Sequence, residues 1–522
     1  MAELLHELIL ESAERSPGRE ALVYQKSRLD YGALAGEVSD AADALTGLGL
    51  ARSERVAVYL EKRIETVAAM FGTSAAGGVF VPVNPILKAE QVAYILKDCN
   101  VRILVTSLDR LHLLAEVLKE CRDLHTVLVV GDGELPEIPG INVHRWGGVA
   151  GKSGRRHRVI NADMAAILYT SGSTGKPKGV VLSHLNMVTG AKSVAQYLGN
   201  TPDDRILSVL PLSFDYGFSQ LSTAFHVGAT AVLMNHLLPR DIVKAVEKER
   251  ITGLAAVPPL WIQLSQLEWP LEASSSIRYF TNSGGAMPLT PLQELRARFP
   301  NARPYLMYGL TEAFRSTYLP PEEVERRPDS IGKAIPNAEI MVVREDGSPC
   351  APGEPGELVH RGALVSLGYW NDHEKTAERF KPVPNREGGL TMTEMAVWSG
   401  DTVRMDEEGY LYFISRRDEM IKTSGYRVSP TEVEEVIYAT EMAGEVAAVG
   451  VPHPVLGQSI VVIVAERPGH ALDVDALMSE CKQRLPAYMV PAEIRLHPGS
   501  LPRNPNGKID RKLLLNDLLE GK

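Results

Sequence analysis

The sequence has few cysteines, few aromatic residues and no long apolar run. Its 522 residues include four cysteines, and they are scattered without the spacing of a metal site: Cys99, Cys121, Cys350 and Cys481. So few cysteines in so long a chain are typical of a reducing compartment, so we expect free thiols and a cytoplasmic location. No segment approaches the roughly 20 apolar residues that span a bilayer, and the first residues lack the pattern of a signal peptide. The composition therefore predicts a protein without a transmembrane segment.

An excess of positive charge is also lacking. The chain has 55 Lys and Arg against 65 Asp and Glu, a formal net charge of −10. Affinity for duplex nucleic acid depends on clustered Lys and Arg that neutralise phosphates, so we expect no nucleic-acid partner. The length exceeds what one hydrophobic core supports, at about 150 residues per domain, and predicts several folding units.

Short apolar runs alternate with amphipathic segments over most of the chain. Such alternation is typical of α/β proteins, in which helices cover parallel sheets. Between 331 and 412 the apolar runs become shorter, with Gly and Pro turns, which predicts a smaller β-rich subdomain. The clearest predicted strands are 56–60, 79–83, 101–106 and 126–130, and the clearest helix is 63–76.

The most informative segment is 171–179, which reads Ser-Gly-Ser-Thr-Gly-Lys-Pro-Lys-Gly between the strand-like stretches 165–170 and 180–183. Glycines let backbone N–H groups close on an anion, while hydroxyl and ammonium groups add donors and charge, so the loop suits a polyphosphate such as that of ATP. A Walker-type loop does not fit, because Pro177 follows Lys176 where a hydroxyl residue is required and a strand-like run follows. A solvated hairpin loop without a ligand is the alternative.

Four further blocks follow in the chain: 308–312 (Tyr-Gly-Leu-Thr-Glu), 399–401 (Ser-Gly-Asp), 415–427 and 504–510 (Asn-Pro-Asn-Gly-Lys-Ile-Asp). Together with the loop they resemble, in order, the motifs of the adenylate-forming superfamily of acyl-CoA synthetases, luciferases and adenylation domains of nonribosomal peptide synthetases. The resemblance covers nearly the whole chain. At closer range, 214–217, 279–287 and 308–320 look like AMP-forming acyl-CoA ligases associated with the exosortase A system.

The resemblance implies an α/β fold in two domains. Residues 1–415 would form a large N-terminal domain of two α/β subdomains and a small β-rich subdomain, holding ATP and the acid. Residues 416–522 would form a mobile α+β lid that rotates between two chemical steps. The charged turn at 415–418 would be the hinge at Asp418, although an ordinary charged turn is the alternative reading.

The resemblance also implies which residues bind ATP and Mg²⁺. Thr174 and the loop lysines would hold the β- and γ-phosphates, Thr311 the α-phosphate, and Glu312 the Mg²⁺ ion. Tyr308 would stack on adenine, while Asp401 and Arg416 would bind the ribose; Ser415 departs from the family, which usually has Gly before that arginine. The full set implied for ATP is Thr170, Ser171, Gly172, Ser173, Thr174, Gly175, Lys176, Lys178, Gly284, Gly285, Tyr308, Gly309, Asp401 and Arg416.

Lys508 is the residue that the resemblance assigns to adenylation, together with Thr311, Glu312 and Arg416. A positioned ammonium would offset the repulsion between a carboxylate and the α-phosphate. Gly425 would line the tunnel of a pantetheine thiol, with Arg427 in the same loop. A plain strand-loop connection is compatible with the same residues.

The acid-binding pocket is implied to contain Phe214, Asp215 and Ser283. Phe214 occupies a position where many acyl-CoA synthetases have His, and Phe214-Asp215 resembles amino-acid adenylation domains, whose aspartate pairs with the substrate ammonium. Alternatively, Asp215 caps a helix that begins at Tyr216. Both interpretations stay open.

The resemblance therefore implies an AMP-forming acid-thiol ligase that uses ATP and Mg²⁺. The acceptor would be coenzyme A or the phosphopantetheine of a carrier protein, and the acid could be fatty, aryl or amino. The alternatives are a free-standing amino-acid adenylating enzyme that loads a peptidyl carrier protein, and a luciferase-like oxygenase. The sequence leaves the oligomeric state open.

Overall fold

The computed structural model describes residues 2–149, 156–170, 177–384, 391–416, 419–423, 426–453, 456–485, 487–505 and 507–520. The helices of these ranges are α1 (Glu7–Arg15), α2 (Tyr31–Gly47), α3 (Ile64–Ala76), α4 (Ala89–Asp98), α5 (Leu108–Leu118), α6 (His184–Leu198), α7 (Asp215–Val227), α8 (Pro239–Glu249), α9 (Pro258–Ser265), α10 (Leu271–Ser276), α11 (Leu289–Arg298), α12 (His373–Arg379), α13 (Pro430–Tyr438), α14 (Val474–Arg484) and α15 (Arg511–Leu519). Short 3₁₀ helices span Thr311–Ala313 and Pro321–Glu323.

The strands of the same ranges are β1 (Glu20–Tyr24), β2 (Ser27–Asp30), β3 (Arg55–Tyr59), β4 (Val79–Pro82), β5 (Val101–Ser107), β6 (Thr126–Val130), β7 (Asn142–Arg145), β8 (Met164–Thr170), β9 (Lys178–Ser183), β10 (Arg205–Ser208), β11 (Thr230–Leu233), β12 (Gly253–Ala256), β13 (Tyr279–Asn282), β14 (Arg303–Tyr308), β15 (Thr317–Leu319), β16 (Ser330–Ala334), β17 (Ala338–Val343), β18 (Gly356–Gly362), β19 (Phe380–Pro382), β20 (Met395–Met405), β21 (Leu411–Arg416), β22 (Ile421–Thr423), β23 (Tyr426–Val428), β24 (Glu445–His453), β25 (Gly457–Ala465) and β26 (Glu493–Leu496).

The first sheet has the order β7-β6-β5-β3-β4-β8-β9 and is parallel except for the final pair. Strands buried on both faces need apolar side chains throughout, and β4 (Val-Phe-Val-Pro) is fully buried. The crossover helix α3 is buried along most of its length and ends at Gly77, whose φ of +83° is the left-handed conformation that closes many helices. The predicted strands and helix of this region are confirmed.

The second sheet is continuous and has a parallel half and an antiparallel half. Its parallel half runs β14-β13-β12-β10-β11-β1, and β15 and β16 continue it antiparallel into β21, β20, β18 and β17. This antiparallel half is the β-rich region predicted for 331–412. Because the sheet is continuous, backbone hydrogen bonds fix the positions of β14, β20 and β21 relative to one another.

The C-terminal region has its own sheet, in the order β23-β22-β25-β24 with β26 parallel to β25. Its core combines α13, α14 and this sheet, with Val433, Ile437, Val462 and Leu477 fully buried. The overall α/β architecture predicted from the sequence is therefore confirmed.

Candidate active site

The predicted phosphate loop connects two antiparallel strands. β8 ends at Thr170, which lies opposite Lys178 at the start of β9. The chain thus continues as a strand after the loop, as predicted, whereas a Walker-type loop would lead directly into a helix. Ser171, Gly172, Ser173, Thr174, Gly175 and Lys176 lie outside the described residues, so their contacts with phosphate stay predictions.

Glu312, the predicted Mg²⁺ ligand, lies in the 3₁₀ helix that follows β14. Its Oε1 accepts a hydrogen bond from the Tyr369 hydroxyl at 2.5 Å. Tyr369 forms a bridge with Val180 of β9, and the Lys178 ammonium lies 5.4 Å from its ring centroid. Burial, and then the Glu312 charge, raise the pKa of the Tyr369 hydroxyl, which stays a neutral donor. Tyr369 therefore connects Glu312 to β9, the strand that follows the predicted phosphate loop.

Arg379 adds positive charge to the same region. It attracts Glu312 electrostatically, and its Nη1 donates to the carbonyl of Trp398 at 3.0 Å. Sequence reasoning missed both Tyr369 and Arg379, because neither belongs to a motif block. The contact between Tyr369 and Glu312 spans 57 positions of the chain, so no local spacing reveals it.

The predicted ribose ligands meet across two strands. Asp401 of β20 lies directly opposite Arg416 of β21, with Arg416 Nε 3.5 Å from Asp401 Oδ1. The Tyr308 hydroxyl donates to Asp401 Oδ2 at 2.5 Å. Burial raises the pKa of Asp401, while Arg416 and Tyr308 oppose that rise. Ser415 lies in β21 opposite Thr402, next to a register shift in the ladder, and Arg416 still lies opposite its carboxylate.

The ends of β13 and β14 carry the remaining predicted nucleotide and acid residues. Ser283 and Thr311 are buried there, and Asn282 donates to the Gly285 carbonyl at 3.0 Å to hold the glycine loop. Gly309 directly follows β14. The carboxyl ends of parallel strands are the usual ligand edge of an α/β sheet, and the predicted residues share that edge.

Lys508 reaches the same edge from the C-terminal region. Its ammonium lies 5.9 Å from the Phe214 ring centroid, and its Cε would be 3.0 Å from a Cβ placed on Gly284. Gly284 has a φ of +84°, so both conformation and space favour glycine. Desolvation and then the charge of Arg416 lower the pKa of Lys508, while Asp215 and Asp401 oppose the shift. The structure therefore brings Lys508 between the predicted nucleotide and acid residues.

The loop that carries Lys508 is anchored on the large domain. Asn84 Nδ2 donates to the Pro505 carbonyl at 2.7 Å, across 421 positions of the chain. Within the loop, the Lys508 N–H donates to Asn504 Oδ1 at 3.1 Å.

Asp215 is the first residue of α7, and the helix is capped by the Phe214 position without a side-chain hydrogen bond. The capping interpretation, in which Asp215 precedes a helix beginning at Tyr216, is therefore wrong. Asp215 Oδ2 instead lies 3.1 Å from Arg315 Nη1, and the two side chains are 3% and 2% exposed. Burial raises the pKa of Asp215, and the Arg315 guanidinium opposes that rise. Arg315, which sequence reasoning missed, directly follows the 308–312 block and its Ala-Phe pair.

The predicted hinge and thiol residues are less completely described. Asp418 and Gly425 lie outside the described residues. Arg427 falls in β23, which pairs with β22 as a short antiparallel hairpin. The roles predicted for these three residues stay predictions.

The described residues contain no group of three or more His, Cys, Asp or Glu arranged to hold a metal ion. Mg²⁺ at a nucleotide site typically needs only one or two carboxylates, with phosphate oxygens and water as its other ligands. A single carboxylate at Glu312 fits that requirement. The described cysteines are free thiols, and no described helix meets the length and hydrophobicity needed to cross a membrane.

Comparison with known families gives two matches. Residues 9–370 match the family described as AMP-binding enzyme, and residues 432–508 match its C-terminal domain. Because these matches cover most of the chain, it belongs to the AMP-binding enzyme family, which is the adenylate-forming superfamily predicted above.

Curated relatives fall into two groups. The chain is 31% identical to L-proline–(L-prolyl-carrier protein) ligase of Pseudomonas fluorescens over 98% of both chains. It is 27% identical to a long-chain-fatty-acid–CoA ligase of Bacillus subtilis, over 99% of this chain and 95% of the relative. It is also 30% identical to tyrocidine synthase 3 of Brevibacillus parabrevis, but it spans only 8% of that protein's length. It is thus similar both to a fatty-acid–CoA ligase and to an amino-acid–carrier-protein ligase.

The fold is shared with solved ligases. O-succinylbenzoate coenzyme A synthetase from Bacillus subtilis, in complex with ATP and magnesium ion, is 25% identical with a TM-score of 0.81, covering 98% of this chain and 99% of that one. The shared fold agrees with membership of the AMP-binding enzyme family.

Proposed function

We propose that the chain activates a carboxylic acid with ATP and transfers it to a pantetheine thiol. In the first step a carboxylate oxygen bonds to the α-phosphorus, the bond from that phosphorus to the bridging oxygen breaks, and pyrophosphate leaves. In the second step the thiol sulfur bonds to the acyl carbon, its proton is released, and AMP departs. The observation that carries this proposal is the position of Lys508 between Gly284, Phe214 and the Asp401–Arg416 pair.

Each of the described site residues would have a distinct role. Asp401 and Arg416 would hold the ribose, and Tyr308 would orient Asp401 while offering its ring to adenine. Lys508 would bridge the carboxylate and the α-phosphate, where a preorganised cation lowers the barrier. Thr311 would donate to the α-phosphate, and Glu312, fixed by Tyr369, would hold Mg²⁺. When bound, Mg²⁺ would neutralise charge on the phosphates and the departing pyrophosphate.

The second step requires a different arrangement of the C-terminal region, since Lys508 occupies the site in the structure. We place the domain boundary at 415–416 and the hinge at Asp418. Rotation would withdraw Lys508 and bring Gly425 and Arg427 toward the acyl adenylate. A side chain at Gly425 would then obstruct the thiol.

The experiment is to measure the two half-reactions separately. Lys508→Ala should abolish ATP–pyrophosphate exchange yet retain thioester formation from a supplied acyl adenylate, and Gly425→Leu should do the reverse. Equal impairment of one step by both substitutions would contradict the proposal. Competition between CoA and a phosphopantetheinylated carrier protein would identify the acceptor.

A second candidate is an enzyme that adenylates an amino acid and loads it onto a carrier protein. It is supported by the 31% identity to the prolyl ligase over both full chains. The Asp215–Arg315 pair counts against it, because the carboxylate that would bind the ammonium already has a cationic partner. A clear preference for amino acids over their des-amino analogues would favour this second candidate.

A further inference from the structure

A small internal cavity of about 30 Å³ lies beside the Asp215–Arg315 pair. It is bounded by α6, α7 and the strands β10, β12, β13 and β14. Most of its exposed wall is apolar, with Met307 and Ala255 among its residues. Its polar side chains include Arg315, Gln220 and Thr223, with hydroxyl residues on the same wall: Tyr216, Ser219, Tyr279 and Thr281.

Arg315, Gln220 and Thr223 have polar atoms without a hydrogen-bond partner among the described residues. The atoms are Nε and Nη2 of Arg315, Oε1 of Gln220 and Oγ1 of Thr223. The three residues are buried, at 2%, 5% and 2% exposure. A buried polar atom without a partner is unfavourable, and these four atoms belong to side chains that line one cavity, which favours a complementary polar ligand beside them.

The guanidinium of Arg315 is fixed in place. Its Nη1 donates to Asp215 and, at 3.2 Å, to the Phe314 carbonyl, and its Cζ lies 4.6 Å from the Tyr216 ring centroid. The Tyr216 hydroxyl is itself held 2.5 Å from Thr281 Oγ1. The unpartnered Nε and Nη2 share the other edge of the planar guanidinium. Two N–H donors with a fixed geometry therefore belong to a residue of the cavity wall.

The charges in this region decide which kind of group fits. Asp215 balances Arg315, so a second carboxylate would leave a net negative charge in a buried site, and an ammonium would meet the guanidinium. A plain alkyl end would leave all four polar atoms unpaired. A neutral group that both accepts and donates hydrogen bonds satisfies Arg315 on one side and Gln220 and Thr223 on the other.

We propose that the acid activated by this chain ends in a neutral polar group such as a carboxamide. Its oxygen accepts from Arg315, and its N–H groups donate to Gln220 and Thr223. The cavity is about twice the roughly 10–15 Å³ that a single water requires, which is room for a small terminal group. This inference rests on the proposed function and names the class of acid for the same site.

The test is ATP–pyrophosphate exchange with chain-matched acids, in several lengths: an alkyl acid, the dicarboxylic acid, its monoamide and the ω-amino acid. We expect the monoamide to have the highest kcat/KM, with the alkyl acid lower by about 10²-fold or more. A higher value for any of the other three classes overturns the inference while the proposed function stands. Absence of exchange with every acid contradicts the proposed function and the inference with it.

Two substitutions assign the preference to this cavity. Arg315→Met should reduce the ratio of monoamide to alkyl acid by about 10²-fold, and the isosteric Thr223→Val by roughly threefold to tenfold. Ser222→Ala is the matched control, because Ser222 is buried on the same helix and bonds within it. Unchanged ratios in both variants overturn the inference and leave the cavity to ordered water. If Arg315→Met lowers the thermal midpoint too far for assay, Thr223→Val decides alone.

Discussion

The nucleotide side and the acid side of the site are built differently. On the predicted nucleotide side, Asp401 pairs with Arg416 and accepts a hydrogen bond from Tyr308, while Glu312 accepts one from Tyr369. On the acid side, the cavity next to Arg315 has polar atoms that have no partner in the described part of the chain. The first region is thus held by contacts within the chain, whereas the second has polar atoms that our proposal assigns to the substrate. Substitutions should therefore separate the two regions by their effect on ATP and on acid preference.

The largest effect is expected for Asp215→Ala. It leaves the Arg315 guanidinium buried without its carboxylate, so the free energy of unfolding should fall by about 3–5 kcal/mol. Denaturant unfolding measures that loss, and the KM for ATP should stay near its original value in the folded fraction. Adding Arg315→Met should recover much of the stability. If Arg315→Met changed the free energy of unfolding by the same amount with Asp215 present and with Asp215→Ala, the two residues would not interact.

Asp401→Asn should act on the other region. Loss of a charged acceptor for the ribose hydroxyls and for Tyr308 should raise the KM for ATP by about 10–100-fold, since hydrogen bonds to charged groups contribute roughly 1.5–3 kcal/mol. The ranking of acids should not change. A changed ranking of acids would show that the two regions are energetically coupled, which would contradict the separation of ATP binding from acid preference.

Ionisation of Lys508 should make the kcat/KM of pyrophosphate exchange depend on pH. The ammonium must be protonated to act, and desolvation and Arg416 lower its pKa in the free enzyme, while Asp215, Asp401 and Glu419 act in the other direction. The kcat/KM of pyrophosphate exchange should therefore fall as pH rises, beginning below the usual lysine value of about 10.4. Lys508→Arg should move that fall beyond the accessible range. The same pH limit in both enzymes would assign it to another group.

The smallest effect is expected for Tyr369→Phe. The hydroxyl that orients Glu312 is lost but both side chains keep their size, so the Mg²⁺ concentration for half-maximal exchange should rise by a few fold, as expected for one hydrogen bond. Tyr59→Phe is the matched control, because its hydroxyl bonds to the Leu87 carbonyl in the first sheet. An equal change in the Mg²⁺ requirement of both variants would mean that the Tyr369 hydroxyl does not act on the proposed Mg²⁺ site.

The sequence predicted the residues that meet at Asp401 far better than those that line the cavity next to Arg315. Phosphates and ribose constrain short runs of backbone, so their ligands cluster in blocks such as 308–312 and 399–401. The acid cavity uses Tyr216, Ser219, Gln220 and Thr223 at helical spacing, with single residues from neighbouring strands, a pattern that resembles an ordinary core face.

Asp215 shows why a local rule failed. Aspartate next to a helix start is typical of an N-cap, but here a buried arginine one hundred positions away binds the carboxylate. The ion pair depends on how α7 packs against the segment after β14, which no sequence window contains. The hinge and the thiol tunnel remain predictions from resemblance.

The wall of the acid cavity comes from one uninterrupted stretch of the chain, from Val194 to Arg315. Asp401, Arg416 and Lys508 all lie beyond it. In terms of inheritance, a single exchange of that stretch between relatives would replace the whole cavity wall, together with Tyr308, Thr311 and Glu312, and would leave Asp401, Arg416 and Lys508 in place.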